Sequence, residues 1–160
     1  MRIRLLLFIT IALLSCSQVG KSLPEFEYQS LDGQVMNNAS LDSKIVVINV
    51  WATWCGTCLE EIPELNRLVD KYKEHDEVIF LAFSDEPYGV VKPLLDRYAF
   101  NYIQFTMAQE FTDAIQSRLV KTYPQNLVVG QNGEIVFDVS DGSEDIYRAL
   151  DQQISDLLTL

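Results

Sequence analysis

A chain of 160 residues, 48% of them hydrophobic, fits one globular domain plus a short extra segment and can bury a core without structural disulfides. Its formal net charge of −11 leaves no electrostatic footprint for nucleic acid or for anionic lipid headgroups. No internal repeat, low-complexity tract or second domain boundary is visible.

The extra segment comes first. Arg2 and Arg4 precede an apolar stretch from Leu5 to Leu14, broken only by Thr10, and Ser15 and Cys16 follow. A basic start, a short apolar centre and a small residue before the break make an export signal, too short for a transmembrane span. Residues 1–15 are thus read as a signal, 16–23 as a linker and 24–160 as the folded domain. Leu13-Leu14-Ser15-Cys16 also resembles the bacterial lipoprotein cleavage signal, in which a lipid-modified cysteine becomes the new N-terminus. The alternative is an ordinary cleaved signal with an incidental cysteine. Ser17 does not mark inner-membrane retention by the enterobacterial rule.

Beyond the linker, residues 26–28, a turn at Asp32-Gly33 and residues 34–36 read as a small hairpin, and Ser40 as the cap of a short turn. The β-branched run over 45–51 predicts a buried strand, and 58–72 a helix with Pro63 inside it. A second buried strand covers 78–83 and ends at Ser84-Asp85-Glu86-Pro87, whose charges read as ordinary loop residues. Helical spacing follows over 90–98, a short edge strand over 103–107, and a helix over 110–119. Residues 126–129, the Gln131-Asn132-Gly133 turn and residues 134–137 form a hairpin, and Ile146, Leu150, Ile154, Leu157 and Leu158 a last amphipathic helix. That order implies an α/β fold: a central mixed sheet with helices on both faces.

The chemistry sits at 54–58, Trp-Cys-Gly-Thr-Cys, where the first buried strand turns into a helix. Two cysteines at that spacing can reach one another and close a small disulfide ring. The first faces the unpaired N–H groups and positive dipole end of the helix, which favour a thiolate. This is the sequence form of a dithiol/disulfide redox centre. Of the three cysteines, Cys55 and Cys58 pair locally and Cys16 is left over, which lipidation explains. Zinc needs more ligands than one pair; His75 is the single histidine, and it reads as helix-end polarity. No metal or cofactor is implied.

Residues 46–58, followed by Glu61, Pro63 and Leu65, resemble the TlpA/ResA-like thiol-disulfide oxidoreductases of the thioredoxin superfamily. Thr122-Tyr123-Pro124 before an apolar strand, and Leu81-Ala82-Phe83-Ser84-Asp85-Glu86, match the same family in the right order. The resemblance implies a thioredoxin-like fold with an N-terminal β-hairpin. It makes Cys55 the attacking thiolate and Cys58 the more buried resolving thiol, in a redox-active Cys55–Cys58 disulfide. Trp54 would cover the site and, with Gly56, Thr57 and Tyr123, line the substrate groove. Pro124 resembles the family's cis-proline, which lets the Tyr123 backbone pair with an extended substrate; cis is accessible because proline cuts the trans preference to about 0.5–1 kcal/mol. Pro63 resembles the proline that kinks the active-site helix. Asn49 stands where cytosolic thioredoxins carry a buried aspartate, and Glu61 matches the exported branch's glutamate, one turn past Cys58. A partly buried carboxylate there takes the Cys58 proton and raises the cysteine pKa values.

Three activities fit such a chain. The first is an exported reductase of disulfides in extracytoplasmic proteins, fed by a membrane thiol donor, with cytochrome c apoproteins as the family's best-known substrates. The second is a disulfide oxidase or isomerase on the same fold, disfavoured because Gly56-Thr57 lacks the histidine of strong oxidants. The third is a peroxiredoxin-like peroxide reductase, which would want a lone peroxidatic cysteine; a tethered binding module is weaker still. The expectation is the first, as a monomer on the periplasmic or cell-envelope side, held by a lipid anchor on Cys16.

Overall fold

A computed structural model describes residues 19–116, 120–140, 142 and 145–159. The predicted signal, Cys16, Ser17 and the end of the predicted 110–119 helix lie outside the described residues. The elements run β1 (Glu27–Gln29), β2 (Val35–Asn37), a 3₁₀ turn (Asn38–Leu41), β3 (Ile45–Val50), α1 (Gly56–Tyr72), β4 (Val78–Phe83), α2 (Tyr88–Leu95), β5 (Ile103–Phe105), α3 (Gln109–Ile115), β6 (Gln125–Val129), β7 (Ile135–Val139) and α4 (Ile146–Leu158).

The run at 45–50 is buried along its whole length, as a strand covered on both faces must be. β3 therefore takes the centre of a five-stranded sheet ordered β5-β4-β3-β6-β7. β3, β4 and β5 are parallel, while β6 runs antiparallel to β3 and β7 antiparallel to β6. The sheet is mixed, as expected.

Side chains alternate across a strand, so the period of two sorts the core. Ile45, Val47 and Trp51 face one side with Val128, where Leu65 and Leu68 of α1 and Leu150 and Ile154 of α4 cover them. Val46, Ile48 and Val50 face the other with Leu127 and Val129, against Phe111 and Ile115 of α3 and Phe26 and Met36 of the hairpin. Asn49 and Asn126 share the first side by the same parity, directly paired across β3 and β6. On the second side Phe83 stacks on Phe111 at 4.1 Å and on Phe105 at 4.7 Å between centroids. α1 and α4 are tied at their rims: Arg67 lies 4.3 Å over the Tyr147 ring, and Asp151 accepts from Lys71 (2.5 Å) and Tyr72 (2.7 Å).

Several boundaries moved for identifiable reasons. α1 starts at Gly56, two positions early, because Cys55 caps it. α2 starts at Tyr88, directly behind Pro87, whose ring sets φ at −70° and leads into a helix. β5 stops at Phe105, since Met107 turns to a φ of 55°. The cap of the 3₁₀ turn is Asn37 rather than Ser40, which sits at the third position and returns the bond from its side chain, closing a capping box. Residues 20–23, read as linker, instead run beside edge strand β7: Gly20 N–H donates to Ile135 O (2.8 Å) and Ile135 N–H to Lys21 O (2.9 Å). They satisfy backbone groups that an edge would leave open.

Phe83→Ala removes a ring stacked on two others and should cost about 3–5 kcal/mol by urea unfolding. Tyr98→Ala, at an exposed position, should stay within about 0.5 kcal/mol of wild type.

Candidate active site

β3 does not simply stop. Trp51 N–H still donates to Phe83 O (3.0 Å), Trp51 and Ala52 stay buried, and Cys55 N–H turns back to Ala52 O (3.1 Å). This turn leaves Cys55 in extended backbone at the N-cap of α1, where its Sγ accepts the Cys58 N–H at 3.1 Å. A sulfur thus occupies the position that serine or aspartate oxygens usually fill. Cys55 and Cys58 form a disulfide with Cα atoms 5.3 Å apart, and Thr57 Oγ1 lies 3.5 Å from Cys55 Sγ. The expected contrast in exposure is slight: Cys55 is 5% exposed and Cys58 2%.

The second arm comes from β6. The Tyr123–Pro124 peptide is cis, and Gln125, next along, pairs with Val50 at the end of β3. That register sets Pro124 and the Tyr123 backbone at the level where β3 gives way to the cysteine turn. Trp54 is 69% exposed and meets the Tyr123 ring edge-on at 5.4 Å, so it stands over the rim between the two arms. Gly56 and Thr57 are exposed beside it. The structure thus gathers Trp54, Cys55, Gly56, Thr57, Cys58, Tyr123 and Pro124 at one end of the sheet; Cys16 lies outside the described residues.

Asp85 and Glu86 are more than exit-loop charges. The Glu86 carboxylate accepts the Thr53 N–H at 2.6 Å and the Thr53 hydroxyl at 2.8 Å, clamping the turn before the cysteines. Asp85 accepts the Tyr123 hydroxyl at 3.1 Å and Lys121 Nζ at 3.3 Å, and Lys121 also bridges to Asp113 at 2.7 Å. Burial pushes the Tyr123 hydroxyl well above its ordinary pKa, reinforced by the charge of Asp85, so it remains a donor across the working range. No sequence pattern announced the bonds of Asp85 and Glu86, because each joins segments more than thirty positions apart.

Glu61 lies on α1 one turn past Cys58 and is 6% exposed. Asn126 Nδ2 donates to Glu61 Oε2 at 3.0 Å, and Asn126 Oδ1 accepts from Asn49 Nδ2 at 2.9 Å. Tyr102 is near enough for the Glu61 charge to add to burial in driving its hydroxyl pKa up. A cavity of about 320 Å³, lined by Thr57, Glu60, Glu64, Asp145 and Tyr147, reaches Glu61 from outside. Glu60 itself is exposed. Among the described residues no cluster of three histidine, cysteine or carboxylate side chains is placed to hold a metal, and His75 follows the far end of α1.

A buried cysteine pair at a helix start, level with a cis-proline on the neighbouring strand, is the arrangement of thiol-disulfide exchange proteins. The redoxin family model matches residues 18–157. The thiol-disulfide oxidoreductase ResA of Bacillus cereus is 32% identical over 120 residues, covering 74% of this chain and 68% of the relative. Two solved structures share the fold. A thioredoxin-family thiol:disulfide interchange protein from Chlorobium tepidum has a TM-score of 0.73 at 20% identity, over 86% of this chain and 95% of that one. The exposed lipoprotein thioredoxin of Streptococcus pneumoniae has 0.70 at 19%, over 84% and 100%. The chain belongs to the redoxin family and is a ResA-like thiol-disulfide oxidoreductase of the thioredoxin superfamily.

Glu86→Ala removes the carboxylate that accepts from both the Thr53 N–H and the Thr53 hydroxyl. It should lower stability by about 1.5–3 kcal/mol in urea titration, the range for hydrogen bonds to a charged group.

Proposed function

We propose that this protein is an exported reductase that opens disulfides in extracytoplasmic proteins through the Cys55/Cys58 dithiol. The observation that carries the reading is the cap: the sulfur that accepts the Cys58 N–H at the helix start is the one best placed to hold negative charge. Reduced Cys55, as thiolate, attacks one sulfur of the partner's disulfide. A mixed disulfide forms, and the partner's other sulfur leaves as a thiolate. Cys58 then attacks Cys55 Sγ, the Cys58 proton passes to Glu61, and the second partner sulfur departs. Two electrons have moved to the partner and the Cys55–Cys58 bond is restored.

Each surrounding residue has a part in that cycle. The Tyr123 backbone pairs with an extended substrate beside the disulfide, with Pro124 setting its direction, and Trp54, Gly56 and Thr57 form the surface over which the substrate lies. A membrane thiol donor must return the dithiol to its reduced state. Cytochrome c apoproteins are the substrate class that the family resemblance favours. The predicted signal, Cys16 at its end and an exposed lipoprotein thioredoxin among the structural neighbours support a lipid-anchored site facing away from the cytoplasm. Gly56-Thr57 between the cysteines favours reduction over oxidation.

Cys58→Ser should leave Cys55 unable to release its partner, so that substrates accumulate as mixed disulfides visible on non-reducing gels. If none accumulates in the native host and the wild-type pair does not exchange with dithiothreitol, the activity is not disulfide reduction. Cys16→Ala should move the protein from the membrane to the soluble fraction; retention in the membrane would refute the anchor.

A further inference from the structure

Glu61 poses a physical problem. A carboxylate 6% exposed is costly to ionise unless a donor faces it. Its described neighbours include acids and a buried hydroxyl. Tyr102 is a buried neutral hydroxyl; Glu60 and Glu64 on its own helix, and Asp145 and Tyr147 at the start of α4, line the adjoining cavity. Among the described residues that cavity is lined by no lysine or arginine, and Arg67 behind it is bonded to Glu64 and laid over Tyr147. To accept the Cys58 proton, Glu61 must be ionised when Cys58 attacks, so a donor aimed at its carboxylate matters.

The cross-strand amides supply the donor. Asn49 and Asn126 are directly paired in the β3–β6 register, on the α1 side of the sheet, among otherwise apolar neighbours. Asn49 Nδ2 donates to Asn126 Oδ1 at 2.9 Å, which fixes the Asn126 amide with its Nδ2 toward Glu61 Oε2, 3.0 Å away. The reverse orientation would set two acceptor oxygens against each other. An amide N–H can only donate, and its bond to an ionised carboxylate is stronger than its bond to the neutral acid, so it favours the ionised form.

We infer that Asn126 is a positioning residue that keeps Glu61 ionised and aimed, and that Asn49 acts through it by fixing the amide's orientation. This rests on the reading of Glu61 as proton acceptor for Cys58. The pair makes the acceptor available before Cys58 attacks, and keeps its proton affinity low enough to pass the proton on through the cavity.

Two titrations of the reduced full-length protein test it. The first follows the Glu61 carboxyl carbon by ¹³C NMR, assigned by its loss in Glu61→Gln. Asn126→Leu should raise its midpoint by about one pH unit or more, the size expected when a hydrogen bond to a charged group is lost. Asn49→Leu, which leaves Glu61 untouched and stands in if Asn126→Leu fails to fold, should shift it the same way by less. A purely structural pair would lower stability and leave the midpoint in place, and that result overturns the inference. The second measures the pH dependence of cysteine alkylation by iodoacetamide in wild type and Glu61→Gln. A lower thiol midpoint in Glu61→Gln supports the proton-acceptor reading. An unchanged one removes Glu61 from the mechanism, and the role of the two amides with it, whatever the carbon titration shows.

Discussion

The cap at Cys55 is the contact on which the site depends. A helix leaves its first N–H groups without intrahelical partners, and here a sulfur accepts one of them at 3.1 Å. The same placement defines the start of α1, brings Cys58 within bonding reach, and puts the Cys55 sulfur in the field of the helix dipole. A strand that ended one residue later, or a helix that began at Cys58, would break all three at once. The buried Trp51 and Ala52, and the backbone bond from Trp51 to Phe83, hold that geometry from below.

Around this cap the protein spends its acidity on donors. Asp85 and Glu86 follow β4 in sequence and point opposite ways, one to the hydroxyl of Tyr123 and the other to Thr53. The strand next to β3 therefore fixes both arms of the site, the cysteine turn and the cis-proline segment. Behind the disulfide, the paired amides of Asn49 and Asn126 do for Glu61 what a lysine would do elsewhere, without adding a second buried charge. Among the described residues, carboxylates thus outnumber cations around the redox site, and backbone and side-chain donors face several of them.

The fold and the cysteine pair were legible in the sequence because both rest on local pattern. Ile45 to Val50 has no reading but a buried strand, and the leucines after Cys58 recur at helical spacing. Glu61 and Pro124 were singled out by resemblance to the family's glutamate and cis-proline, not by local pattern alone. Asn126 was visible only as a strand end, since its partners Asn49 and Glu61 lie 77 and 65 positions away and depend on register. Asp85 and Glu86 were hidden for the same reason: a charge after a strand looks solvated until the chain brings Thr53 and Tyr123 to it. Tyr102 gave no signal, as its hydroxyl matters only through its nearness to Glu61.

The most direct test of a reducing Cys55/Cys58 centre is its reduction potential, measured by equilibrating the pure protein with dithiothreitol and quantifying the disulfide. A site with Gly56-Thr57 between its cysteines and a carboxylate behind them should sit near the thioredoxin value of about −270 mV. A potential near the DsbA value of about −120 mV would mean that the protein installs disulfides, and would contradict the assignment of reduction.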